Sequence, residues 1–153
     1  MWWFVSPKIV FGDNALQLLT KLDGKRVMVI TDKMLNKLGV VDKVTSYLEK
    51  GRVEVKIFDE VEPEPTVKIL KRGANVARDY GPDWIIGLGG GSCTDAAKVI
   101  WVLYERPDLT VEDIIPFIDL ELRKKARFIA IPTTSGTGSE VTCFTVVTQT
   151  KEH

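Results

Sequence analysis

The run Gly87-Leu88-Gly89-Gly90-Gly91-Ser92 constrains this chain more than any other. It joins the apolar segment Trp84–Leu88 to an amphipathic one in which Ala96, Val99, Ile100 and Leu103 share a face until Pro107. A short buried strand that leads straight into a helix through consecutive glycines predicts an α/β architecture. Glycine takes positive φ at little cost and has no Cβ to hold a ligand off the backbone. The helix starting near Ser92 adds unpaired N–H groups and the positive end of its dipole, so the junction predicts a phosphate cradle. The Ser92 hydroxyl can add a donor. The competing reading is a tight turn with Ser92 and Asp95 as a capping-box-like pair. Consecutive glycines exceed what a cap requires. The run departs from the ordinary dinucleotide fingerprint, because the third glycine of G-x-G-x-x-G falls on Ser92 and the loop follows a late strand. No Gly-Lys-Ser/Thr follows, so it is not a P-loop.

The rest of the chain alternates β-branched runs with amphipathic segments. That is the pattern of a Rossmann-like, largely parallel sheet with flanking helices. Trp2–Val5 and Ile9–Phe11 flank Ser6-Pro7-Lys8 and predict an N-terminal β-hairpin or crossing strand. Asn14 is placed to cap a short helix carrying Leu18, Leu19 and Leu22. Arg26–Thr31 reads as a buried strand followed at once by Asp32. Asp42–Lys50 reads as a helix stopped by Gly51, and Arg52–Phe58 as a half-buried strand. After the acidic loop Glu60–Pro65, Thr66 is placed to cap a helix with Val67, Leu70, Ala74 and Ala77 inward, ended by Gly81 and Pro82. Residues 108–126 are charged and loop-like, with room for one short helix. Phe128–Ile131 reads as a strand, Pro132–Glu140 as a polar loop and Val141–Thr148 as the last strand. Nothing caps that strand before Lys151-Glu152-His153, which predicts a chain cut here or completed by another chain or domain.

Composition excludes several classes. Lys and Arg together number 21, as do Asp and Glu; this balance argues against nucleic acid as a partner. No apolar run approaches the ~20 residues of a membrane span. Ser6-Pro7-Lys8 interrupts the apolar start before a signal-peptide core forms. With 153 residues, 44% of them hydrophobic, the chain can bury a core without staples. Cys93 and Cys143 form no C-x-x-C pair, so a reducing, cytoplasmic setting is expected. Cys93 is expected as a small buried residue at a helix start, and Cys143 as a core residue on the last strand. The single histidine, His153, is the last residue. Neither an imidazole-built metal site nor a Ser-His-Asp or Cys-His hydrolase can be assembled from it.

Further candidate residues lie where strands end. Asp32 follows the strand Arg26–Thr31, and ligands of open parallel sheets bind at the carboxyl ends of strands. Its carboxylate can accept hydrogen bonds from two ribose hydroxyls and would repel a 2′-phosphate, a bias towards NAD over NADP. Alternatively Asp32 caps the next segment. Pro132-Thr133-Thr134-Ser135-Gly136-Thr137-Gly138-Ser139-Glu140 also follows a strand. Its hydroxyls and glycine amides can hold a phosphate, a ribose or an adenine edge; the alternative is a solvated loop. Asp95 and Lys98 stand one helical turn apart, in reach of an ion pair.

These motifs together resemble the iron-containing (group III) alcohol dehydrogenases. The resemblance rests on Ile30-Thr31-Asp32-Lys33, Glu64-Pro65-Thr66, the segment from Gly89 to Lys98, and the segment from Ile131 to Thr142, in that order. The threonine-rich segment favours this family over the glycerol dehydrogenases and dehydroquinate synthases. The resemblance implies that residues 1–153 are an NAD- or NADP-binding domain. Asp32 would face the adenosine ribose, and Gly89, Gly90, Gly91 and Ser92 would form the pyrophosphate turn. Asp95 would lie near the nicotinamide half, Thr133, Thr134 and Thr137 on the adenine and ribose side, and Pro65 at the groove.

Members of that family are much longer, and a second, helical domain supplies an aspartate and three histidines to iron or another divalent metal. Those positions do not exist here, so the helical metal-binding domain is expected to be absent. The expected function is therefore the cofactor half of an enzyme that moves hydride between a nicotinamide and a primary alcohol or aldehyde, inactive by itself. A non-catalytic nucleotide-binding or assembly module is the alternative. The resemblance also implies pairing through the apolar N-terminal strand, and an exposed apolar face predicts a homodimer or higher oligomer.

Overall fold

Val27, Met28, Val29 and Ile30 are fully buried, and their side chains alternate between two separate cores. A strand covered on both faces is the mark of a parallel sheet with helices on each side. The computed structural model describes residues 6–115 and 118–148. Its four strands are β1 (Arg26–Ile30), β2 (Glu54–Phe58), β3 (Trp84–Gly89) and β4 (Arg127–Pro132). All pair in parallel, in the order β2-β1-β3-β4. Four α-helices accompany them: α1 (Lys33–Lys37), α2 (Val40–Lys50), α3 (Val67–Tyr80) and α4 (Gly91–Glu105).

The handedness of parallel crossovers sorts the helices. The connection from β1 to β2 runs outward one way and puts α2 on one face. There Val41, Val44 and Leu48 meet Val27, Val29, Ile86 and Leu88. The connections to β3 and β4 run the other way and put α3 and α4 on the opposite face. There Leu70, Ala74, Ala77, Ala96 and Ile100 meet Met28, Ile30 and Ile85. Local signals set the helix ends. Thr66 accepts the Ile69 N–H at the start of α3, and Gly81 closes it at φ +65°.

Helix α4 lies unusually close to β3. A Cβ on Gly87 would stand 2.8 Å from the Ala97 Cβ, and one on Gly89 would stand 2.7 Å from the Cys93 Sγ. Two glycines two residues apart on one strand face thus admit α4 almost to backbone contact.

The expected elements form, with shifted ends and some corrections. Asn14 makes no side-chain cap, and Ala15–Lys21 is a 3-10 helix with Leu19 buried. Ile9, Val10 and Phe11 are exposed and in no strand; residues 2–5, expected to pair with them, lie outside the described residues. Within 108–126 the short helix is the 3-10 turn Val111–Asp113. The expected last strand, Val141–Thr148, is not one. Its ladder is reduced to a single bridge from Thr148 to Thr66. The reason is competition from α4: Asp95 accepts the Val146 N–H at 3.0 Å, and Lys98 donates to the carbonyls of Thr142 and Phe144. Cys143, expected in the core on that strand, is accordingly exposed.

Replacing Gly87 with alanine should therefore overpack the β3–α4 seam. We expect a loss of about 1–3 kcal/mol in urea unfolding. Combining it with Ala97→Gly should cost less than the sum of the two single changes. Additive losses would show that the seam is not the point of contact.

Candidate functional site

The strand order reverses between β1 and β3, so the chain leaves these neighbouring strands towards opposite sides. Their carboxyl ends are left with a crevice between them, the usual ligand position in an open parallel sheet. A cleft of about 750 Å³ opens there. Asp32 and α1 form one wall, Glu60–Pro63 after β2 the rim, and Gly90–Cys93 with Thr133 and Thr134 the other wall. That volume lies in the range of small-molecule and cofactor sites.

The glycine turn forms the floor. Gly89 sits at φ +145°, where only glycine rests without strain. Gly90 is the N-cap of α4, and no side chain caps that helix. The capping-box-like pairing of Ser92 with Asp95 does not form; the Asp95 carboxylate instead pairs with Lys98 at 3.1 Å and holds Val146. The first turn of α4 therefore carries no side-chain cap, and the Gly90 amide faces the Cys93 thiol. The threonine loop folds over the same turn: the Thr133 N–H donates to the Gly89 carbonyl at 3.0 Å. A Cβ on Gly90 would lie 3.2 Å from the Thr134 Oγ1, and one on Gly91 3.2 Å from the Ser139 Oγ. The backbone at Gly90 and Gly91 is thus approached by hydroxyls where a side chain would stand. An anionic group that needs amide and hydroxyl donors fits this cradle.

Asp32 serves two ends. Its Oδ1 accepts the Leu35 N–H at 2.8 Å and caps α1, while the residue lines the cleft. Its Oδ2 accepts the Cys93 thiol at 3.4 Å. Burial, then the Asp32 carboxylate beside it, push the Cys93 thiol up to about 12. Cys93 is thus the small buried residue expected at this helix start.

The structure brings Asp32, Gly90, Gly91, Ser92, Thr133 and Thr134 to one cleft. Gly89 lies just behind it at the end of β3. Thr137 packs over Gly91, whose Cβ would lie 3.6 Å from the Thr137 Cβ. Pro65 is buried, and its carbonyl accepts the Thr148 N–H. Asp95 is buried beneath residues 142–146. Lys33 and Lys37 also line the cleft, a position the sequence motifs do not predict for either. The available signal was the Asp32 cap itself: a helix opened by Asp32 carries residues one and five positions later beside the same crevice. Among the described residues, no group of three or more His, Cys, Asp or Glu side chains could hold a metal ion. Among the same residues no helix is long and apolar enough to cross a membrane.

This order of strands, with a glycine turn at the point of reversal, defines an α/β protein of the doubly wound class. The model of the iron-containing alcohol dehydrogenase family matches residues 6–153, and the chain belongs to that family. An NADPH-dependent butanol dehydrogenase of Clostridium saccharobutylicum is 47% identical over 151 residues, which are 97% of this chain and 39% of that enzyme. The crystal structure of a 1,3-propanediol oxidoreductase superposes with a TM-score of 0.87 at 35% identity, over 98% of this chain and 40% of that one. Sulfoacetaldehyde reductase from Bifidobacterium kashiwanohense, solved with NAD+, matches with a TM-score of 0.80 at 27% identity, over 97% of this chain and 40% of that one. The chain thus spans 39% of the first relative's length and 40% of each of the other two.

The two thiols should differ sharply towards alkylation. Burial and the neighbouring Asp32 carboxylate keep the Cys93 thiol protonated and out of reach, whereas Cys143 is exposed. Iodoacetamide followed by peptide mass spectrometry should label exposed Cys143 and spare Cys93 in the folded chain. Equal labelling would contradict the burial of Cys93.

Proposed function

We propose that this chain is the nicotinamide-dinucleotide-binding part of an iron-containing alcohol dehydrogenase. The observation that carries the reading is the meeting of an uncapped glycine turn, a carboxylate and a threonine loop at one cleft, where the strand order reverses. The amides at Gly90, Gly91 and Ser92 would hold the pyrophosphate, with Gly89 giving the turn its shape. Asp32 would accept the hydroxyls of the adenosine ribose, and this favours NAD over NADP. Thr133 and Thr134 would line the adenine and ribose side, with Thr137 supporting them from above Gly91. Pro65 would back the groove. Asp95, set by resemblance near the nicotinamide half, would act by fixing the segment over α4 rather than by meeting the ring. A dinucleotide held by these residues would supply hydride transfer, accepting hydride from a primary alcohol or donating it to the corresponding aldehyde.

The metal that would polarise that alcohol needs ligands which the described residues do not offer. On this reading the 153 residues alone bind the dinucleotide and turn over no alcohol. The exposed Ile9, Phe11, Phe144 and Val146 support self-association into a dimer or larger oligomer. The reading also keeps the protein in the cytoplasm, where dinucleotide and reduced thiols are available.

Ser92→Asp separates a phosphate cradle from a simple helix start. An aspartate in the first turn favours the helix dipole by about 0.3–1 kcal/mol, so the melting temperature should hold or rise. The same charge should weaken NAD+ binding at least about tenfold in calorimetric titration, through repulsion of the pyrophosphate. A more stable chain with unchanged binding would refute the cradle. The unaltered chain should show no alcohol oxidation with NAD+ or NADP+ and Fe2+; iron-dependent turnover would refute inactivity alone.

A further inference from the structure

Asp32 and Cys93 are 61 residues apart in the chain and meet at the cleft through a single hydrogen bond of 3.4 Å. The geometry points to Cys93 as a positioning residue, whose thiol fixes the Asp32 carboxylate and so sets the preference between NAD and NADP. This inference rests on the reading that Asp32 faces the adenosine ribose.

Held by the Leu35 N–H at Oδ1 alone, a carboxylate can pivot about that contact. A second anchor at Oδ2 removes the pivot, and the Cys93 Sγ supplies it. The anchor is itself rigid. Cys93 is 3% exposed and sits in the first turn of α4. It packs against Gly89 so closely that a Cβ there would lie 2.7 Å from both its Cβ and its Sγ. The same Cβ would lie 3.1 Å from the Leu35 Cδ1, so the end of β3, α1 and the thiol form one contact. The thiol stays protonated at working pH, and therefore stays a donor.

The consequence concerns discrimination. A fixed carboxylate keeps its charge where a 2′-phosphate would have to sit. A carboxylate free to turn aside would open that place, and Lys33 and Lys37 on the same wall would then favour a phosphate. Cys93 would thus act on specificity through Asp32, with no contact to the nucleotide required.

The test is a double-mutant cycle read by calorimetric titration with NAD+ and NADP+, using the full chain. Cys93→Ala should narrow the ratio of the two dissociation constants by about threefold to tenfold, the worth of one modest hydrogen bond. Cys93→Ser, which retains a donor, should keep most of the original ratio. In an Asp32→Ala background, Cys93→Ala should change the ratio no further. If Asp32→Ala shifts the ratio and Cys93→Ala does not, the positioning role is overturned while the ribose reading stands. If Asp32→Ala leaves both affinities unchanged, the ribose reading falls and the inference with it. Should Cys93→Ala fail to fold, the S–H stretching band of the native thiol decides. Asp32→Ala should shift the band that remains in Cys143→Ser; an unmoved band would show that the hydrogen bond is absent in solution and overturn the inference.

Discussion

The near-contact of α4 with β3 governs the rest of this molecule. A helix normally stands off a sheet by the length of its side chains. Here Gly87 and Gly89 remove those side chains on the sheet, and Ala97 and Cys93 answer with small ones on the helix. The start of α4 is thereby drawn down to the end of β3, with one glycine turn between them. The consequences follow in order. The first amides of α4 sit at the carboxyl edge of the sheet rather than above it. Cys93 comes within reach of Asp32 at the end of β1. The loop after β4 can tie its Thr133 N–H to the Gly89 carbonyl and lie across the turn. A bulkier residue at Gly87 would lift the helix and separate the two walls of the cleft.

A second set of contacts keeps the opposite side of α4 in place. Asp95 and Lys98 are both largely buried and paired, and each also bonds the backbone of residues 142–146. An ion pair on an exposed helix contributes little, whereas a buried one must have its other valences satisfied. That requirement explains why the segment lies along α4. The helix offers it one acceptor and one donor, and the bridge from Thr148 to Thr66 fastens its far end.

What could be read in the sequence follows the same physics. β1, β3, α3 and α4 were legible because they are buried on fixed faces. A continuous apolar strand or a regular helical stripe has few other uses. The meeting of Asp32, the glycine turn and Thr133–Thr134 was legible too, since each follows a strand and parallel strands bring their ends together. Residues 141–148 were not legible. Their alternation of Val141, Cys143, Thr145 and Val147 fits a strand, but a strand also needs a neighbouring ladder. Side chains of α4 took that place, and nothing local in the segment announces it. Asn14 is the other miss: its side chain caps nothing, although Thr110 does cap the 3-10 turn Val111–Asp113, so the residue type marks where a cap can form and not that it does.

Asp32 shows why two readings of one residue need not compete. Capping α1 and lining the cleft were alternatives in the sequence, yet a carboxylate has two oxygens and about four acceptor positions. One bond to the Leu35 amide leaves most of that capacity unused. The cap also orients the side chain, so the structural role prepares whatever the other oxygen does. The thiol of Cys93 extends the same logic across the cleft. It gives one weak bond to Oδ2, so both carboxylate oxygens of a cleft-lining residue are held by the fold. A residue held by its own fold on two sides loses less entropy when a ligand arrives than one that must be ordered by it. The arrangement depends on an α4 close enough to β3 to bring the thiol there.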